Sequence, residues 1–270
     1  MDLFDTHCHV HEMTKNLTPT HDKWFSDGVE RTVDDVMNQA FAAGVTKMLV
    51  IGTSLADSQL AVEFAEAYPN VWASIGVHPH EAAVHDAEEV RREFLELARN
   101  EKVVAVGECG LDYFYEHSPK EDQVALLRVQ LEVASEAGLA LSFHVREAYD
   151  DFWPIFDEFV GLRGVLHSFT DTKAHLQMAL DRGLYIGVNG IVTFNKDPAQ
   201  QAMYSAIPLE SMVLETDAPY LTPKPFRGKV CEPKHVVLTA ECIAAQRGLQ
   251  NEQIARITTA NAQKLFNLVQ

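Results

Sequence analysis

Positive charge is scarce in this chain. Its 270 residues hold 22 lysines and arginines against 39 aspartates and glutamates, a formal net charge of −17. That balance argues against a protein that coats nucleic acid through a broad basic face. Any phosphate-bearing ligand has to be held by metal ions and a few local cations. Cysteine is scarce as well. Cys8, Cys109, Cys231 and Cys242 show no Cys-x-x-Cys and no regular spacing, and read as reduced thiols. No apolar run reaches the length of a membrane span. The start, Met1-Asp2-Leu3-Phe4-Asp5, has neither the basic nor the apolar stretch of a secretion signal. A cytoplasmic location with no membrane partner is the expectation. No tract rich in Gly, Ser or Pro divides the chain, so residues 1–270 are expected to form one domain. With 47% apolar residues it has ample material for a core.

What the chain does have is a succession of short apolar segments. Eight of them read as buried strands: residues 3–10, 47–53, 71–78, 103–111, 140–145, 164–169, 184–190 and 211–218. They are nearly continuous in apolar character and do not alternate, as parallel strands covered on both faces should be. Helical stretches lie between them. Ser118-Pro119-Lys120-Glu121 has the pattern of a capping box with Pro at the first helical position, and Gly138 closes that helix. Thr32 to Asp35 opens an earlier helix that Gly44 ends, and Pro69 stops the one over residues 56–68. Eight strand-then-helix units in one run predict an α/β fold, a (β/α)8 TIM barrel, with a last helix over residues 251–266 packed on it. A doubly wound open sheet would call for a Gly-rich phosphate turn after the first strand, and Asp5-Thr6-His7-Cys8-His9 is not one.

In such barrels the chemistry sits at the C-terminal ends of the strands. Strand one ends with His7 and His9, two apart and therefore on one face of an extended strand. Strand four ends in Glu108, strand five in His144, strand six in His167 and strand eight in Asp217. Four histidines and two carboxylates exceed what one tetrahedral ion needs, so two divalent ions per monomer are expected. Glu108, with two oxygens, is the natural bridge. His7, His9 and Asp217 complete one site, and His144 with His167 the other. Mixed imidazole and carboxylate ligation suits zinc, manganese, iron or cobalt, with magnesium less favoured on softness.

As a set, the segments Asp5-Thr6-His7-Cys8-His9, Gly76-Val77-His78-Pro79-His80, Gly107-Glu108-Cys109-Gly110-Leu111-Asp112-Tyr113, Phe143-His144-Val145-Arg146, Leu166-His167-Ser168-Phe169 and Glu215-Thr216-Asp217-Ala218-Pro219-Tyr220-Leu221-Thr222-Pro223 resemble the TatD family of metal-dependent deoxyribonucleases, within the amidohydrolase-like superfamily. The resemblance implies divalent metals at the matched ligands and hydrolysis of DNA phosphodiesters, of 3'-5' exonuclease type, on DNA ends or single strands. Asp217 and Glu108 are then the expected catalytic residues, with Asp217 as proton acceptor. A small-molecule amidase, lactonase or phosphoesterase on the same metal barrel is the alternative, since the fold does not specify the substrate. The chain departs from the family pattern at Cys231, where members often carry Asn.

Three residues are candidates for substrate contact. Arg146, two past His144, is a phosphate clamp or the partner of a nearby acid. His78 ends strand three, where it meets substrate or shapes the loop around Pro79. Arg227 belongs to a basic cluster with Lys224, Lys229 and Lys234 in the loop after strand eight. Cys8 and Cys109 are expected to point away from the ligands beside them. His11, His21, His85, His117, His175 and His235 are expected at the surface. No obligate protein partner is evident.

Overall fold

The computed structural model describes residues 1–268. Eight strands follow one another in a single sheet in chain order: β1 (Leu3–Cys8), β2 (Val45–Ile51), β3 (Val71–Ile75), β4 (Val103–Asp112), β5 (Ala140–Arg146), β6 (Gly164–Leu166), β7 (Tyr185–Val188) and β8 (Met212–Leu214). Among the described residues ten α-helices lie between and after them: α1 (Pro19–Trp24), α2 (Val33–Ala42), α3 (Leu55–Glu66), α4 (Ala87–Leu97), α5 (Lys120–Ala137), α6 (Tyr149–Phe156), α7 (Lys173–Asp181), α8 (Pro198–Ala206), α9 (Val236–Arg247) and α10 (Asn251–Leu265). The architecture is the (β/α)8 barrel expected from the pattern. No helix among the described residues is long and apolar enough to cross a membrane.

The described chain divides into two compact units. One combines Met1–Val50 with Ser168–Lys264, the other Ile51–His167 with Leu265–Asn267. In the first, the beginning and end of the sheet are joined. Asp217 N–H donates to the His7 carbonyl at 2.8 Å, and His9 N–H to the Ala218 carbonyl at 2.8 Å. At the opposite strand ends, α10 ties this seam down. Its Asn261 amide donates to the Leu209 and Met212 carbonyls, and Thr259 Oγ1 to the Asp2 carbonyl. Leu3, Val45, Met48, Ile186 and Val213 are fully buried here, each contributing about 1.5–3 kcal/mol of burial energy. In the second unit Val106, Phe143, Phe152 and Leu131 fill the same role. Phe143 meets Phe152 edge-on at 5.0 Å.

Several boundaries differ from those read in the sequence. All eight strands form, but β1, β2, β3, β6, β7 and β8 stop two to four residues early. At these ends the backbone leaves the ladder to aim polar side chains. Ser118 does not cap α5. Its hydroxyl donates to the His80 carbonyl at 2.8 Å and accepts from Ala83 N–H, so Pro119 takes the N-cap position without a side-chain bond. By contrast Thr32 and Asp35 close a full capping box on α2, and Gly138 ends α5 in the left-handed conformation.

Candidate metal centre

In the first unit, β1 pairs with β2 in parallel, but three steps from Asp5 to Cys8 oppose two from Met48 to Val50. The extra residue is a bulge, the usual device for re-aiming a side chain, and His7 lies within it. His9 is past the strand end, where Glu12 N–H and Trp24 Nε1–H both donate to its carbonyl and turn the chain into a 3₁₀ segment. The two imidazoles still meet, with centroids 5.1 Å apart. Asp217 Oδ1 faces both, 3.5 Å from His9 Nε2 and 3.8 Å from His7 Nε2. Asp217 has φ +61°, a left-handed position that Asp and Asn tolerate better than most side chains. Asp5 secures the preceding residue: its carboxyl accepts from Thr216 N–H at 2.9 Å and from Thr216 Oγ1 at 2.6 Å. Burial pushes Asp5 up to about 8, against these hydrogen bonds. Glu215 is buried and accepts from Ser168 N–H at 2.6 Å. Cys8 turns away, with Sγ toward the Leu49 carbonyl.

In the second unit the same device recurs. Three steps of β4, Val106 to Cys109, oppose two of β5, Leu141 to Phe143, and Glu108 lies in that bulge. The flanking glycines are required by space. A Cβ on Gly107 would lie 2.3 Å from the Ser142 carbonyl oxygen, and one on Gly110 would lie 1.8 Å from that of His144. Close packing there carries Glu108 and His144 to one point. Glu108 Oε1 is 2.9 Å from His144 Nδ1, 3.5 Å from His78 Nε2 and 3.8 Å from His167 Nε2. Glu108 and His167 are buried. Donor atoms of Glu108, His144 and His167 all lie within 4.8 Å of one another, and so do those of His78, His80 and His144. Nitrogen and carboxylate oxygen donors at such separations fit a divalent ion. The electrostatics agree. Although burial alone would lower it, His144 is raised to about 9 by its hydrogen bonds to the carboxylates of Asp112 and Glu108, so this point favours positive charge. Burial lowers His78 to about 4.

In the sequence Asp112 stands out only as part of the Gly107–Tyr113 motif. The structure gives it a central place. Its Oδ2 is 2.9 Å from His144 Nε2 and 3.0 Å from His80 Nε2, and its Oδ1 accepts from Phe114 and Tyr115 N–H at 3.0 Å each. Burial opposes ionisation, but the hydrogen bonds from His144 and His80 hold the carboxyl well below the usual range. A carboxylate on the far nitrogen of a ligand imidazole sets its tautomer and ring orientation. We therefore expect Asp112→Asn to weaken metal affinity about 10- to 100-fold, measured by titrating metal into chelator-treated protein. Unchanged affinity would leave Asp112 with a role in loop structure only.

Other sequence expectations are placed as follows. Arg146 is exposed and lies over aromatic rings, 3.9 Å from the Phe114 centroid and 4.7 Å from that of Tyr115; it has no ion pair among the described residues. Arg227 donates to the Thr222 carbonyl and stacks on Phe194 at 3.8 Å. Lys234 is paired with Glu232 at 2.7 Å, so the basic cluster is partly neutralised. His11 and His235 are buried, not at the surface. The turn at His9 carries His11 inward, while His235 Nδ1 accepts from Glu232 N–H and its ring stacks on Phe226. Cys231 is also buried.

Comparison with known proteins agrees with this geometry. The model for TatD-related DNases matches residues 4–267. The 3'-5' ssDNA/RNA exonuclease TatD of Salmonella typhimurium is 38% identical over 248 residues, 87% of this chain and 93% of that protein. YabD of Bacillus subtilis, an uncharacterized metal-dependent hydrolase, is 34% identical over 268 residues, 98% of this chain and 99% of its own. The crystal structure of YjjV, a TatD homologue from Escherichia coli, matches with a TM-score of 0.85 at 27% identity, over 98% of both chains. With these matches over nearly its whole length, the chain belongs to the family of TatD-related DNases.

Proposed function

We propose that this protein is a single-domain, divalent-metal-dependent 3'-5' exonuclease acting on the ends of DNA single strands. The observation that carries the reading is the donor set of half-buried His144 with buried Glu108 and His167, in a chain 38% identical to an exonuclease of that description. Glu108, His144 and His167 would hold one ion, and His7, His9 and Asp217 the other. Zinc and manganese suit this imidazole-rich set better than magnesium. When bound, such ions polarise a phosphoryl oxygen and make water acidic enough to supply a nucleophile near neutral pH.

The chain's own groups orient and move the proton. Asp217, fixed by its bond to the His7 carbonyl, accepts the proton of the attacking water. Asp5 and Thr216 keep the Asp217 backbone in place. Asp112 keeps His144 facing Glu108. His78, with Nε2 near Glu108, meets the substrate phosphate. With a net charge of −17, the protein lacks the basic track that would hold a duplex at mid-length, so cleavage starts at ends. The test is a timed digest of end-labelled linear strands beside a closed circular single strand, after chelation and with added manganese. We expect the linear strands to shorten from the 3' end and the circle to persist. Loss of the circle at the linear rate would rule out exonuclease action; hydrolysis of small esters without any DNA cleavage would rule out the nuclease.

A further inference from the structure

Phe114 and Tyr115 are about half exposed, at 49% and 50%, and they adjoin one another on the turn after β4. Single exposed apolar residues need no explanation. This pair is different because it is built into the ligand cluster. Asp112 pins both amides with Oδ1 while its Oδ2 faces His144 and His80. The Tyr115 ring meets His80 edge-on at 5.5 Å and stacks on His117 with an interplanar angle of 12°. The Arg146 guanidinium lies over both aromatic rings. The packing gain of a buried aromatic is given up here, while the rings are held in fixed positions beside a candidate ligand.

We propose that Phe114, Tyr115 and Arg146 form a stacking subsite for an unpaired base of the substrate strand, and that this subsite sets the preference for single strands over duplex. The inference rests on the nuclease reading given above. Every nucleobase offers a π-face, so aromatic stacking holds a strand without reading its sequence. A duplex hides those faces between neighbouring pairs; an unpaired end presents them. Stacking also suits a chain too acidic to hold a strand by charge alone. Arg146 adds a cation–π surface and a charge for the adjoining phosphate.

The test compares wild type with the double variant Phe114→Ala/Tyr115→Ala, using end-labelled oligonucleotides in single-stranded form, in duplex form, and with tetrahydrofuran abasic residues replacing the last three nucleotides. For the intact single strand, the KM of the variant should rise about 5- to 150-fold with a smaller change in kcat, and its single-strand preference should collapse. Wild type should lose a similar factor on the abasic strand, and the variant should treat intact and abasic strands alike. Phe114→Trp should keep the wild-type KM, and the melting shift on adding manganese should survive in all variants, showing an intact fold. A double variant with wild-type KM and strand preference would overturn the subsite alone. Wild-type protein that digests no DNA would overturn the nuclease reading beneath it.

Discussion

We expect Asp217→Asn to lower turnover by about 10²- to 10⁴-fold, the usual cost of losing a general base, while most of the bound metal remains. Three features make this substitution informative. Asparagine tolerates the left-handed backbone at φ +61°, so the bond from residue 217 N–H to the His7 carbonyl survives. The side-chain carbonyl keeps an oxygen facing His7 and His9, which approach Oδ1 at 3.8 and 3.5 Å. What is lost is the capacity to take a proton. The histidines offer no substitute, because a nitrogen lone pair committed to an ion is not basic. The measurement is turnover at saturating manganese beside metal content of the same preparation. A variant that regained wild-type turnover when metal was raised would show that Asp217 serves only as a ligand.

Glu108→Ala is expected to strip metal from the protein and to lower turnover by about 10²- to 10⁴-fold, the scale of several kcal/mol of lost transition-state stabilisation. Glu108 Oε1 is the point on which His144, His78 and His167 converge. Alanine takes the Glu108 carboxylate away from these imidazoles, His144 keeping only Asp112, so a cation placed among them loses both a ligand and part of its charge balance. On the bridging role expected from its two oxygens, metal analysis should find both ions depleted. His144→Ala is the control: it should empty one position and spare the one built on His7, His9 and Asp217. Folding provides an independent readout: metal should raise the melting temperature of wild type by binding only the folded chain, and Glu108→Ala should lose most of that shift. Full occupancy of both positions in Glu108→Ala would remove it from the bridging role.

Much of this was legible in local sequence. Apolar runs of strand length, separated by capped amphipathic stretches, specify eight strand–helix units because each unit's period is a local property. The six metal-ligand candidates were legible for the same reason. Each stands at the end of an apolar run, where a barrel places its chemistry. Thr32 with Asp35, and Gly138, cap their helices as read because their partners lie within the same turn.

Where a partner is distant in sequence, only the tertiary structure decided. Ser118 carries the local signature of a cap, yet its hydroxyl is taken by His80 and Ala83, more than thirty residues away. His11 and His235 look like surface histidines until the loops that bury them are folded. The bulges at His7 and Glu108 exist only relative to the neighbouring strand, so no reading of β1 or β4 alone reveals them. Asp112 is the sharpest case. Its two oxygens join residues two and three positions away to histidines thirty-two positions away on either side. Composition and spacing identify which side chains are available for chemistry. Long-range pairing determines which of their atoms meet, because hydrogen bonds and close approach depend on register and burial that no local segment contains.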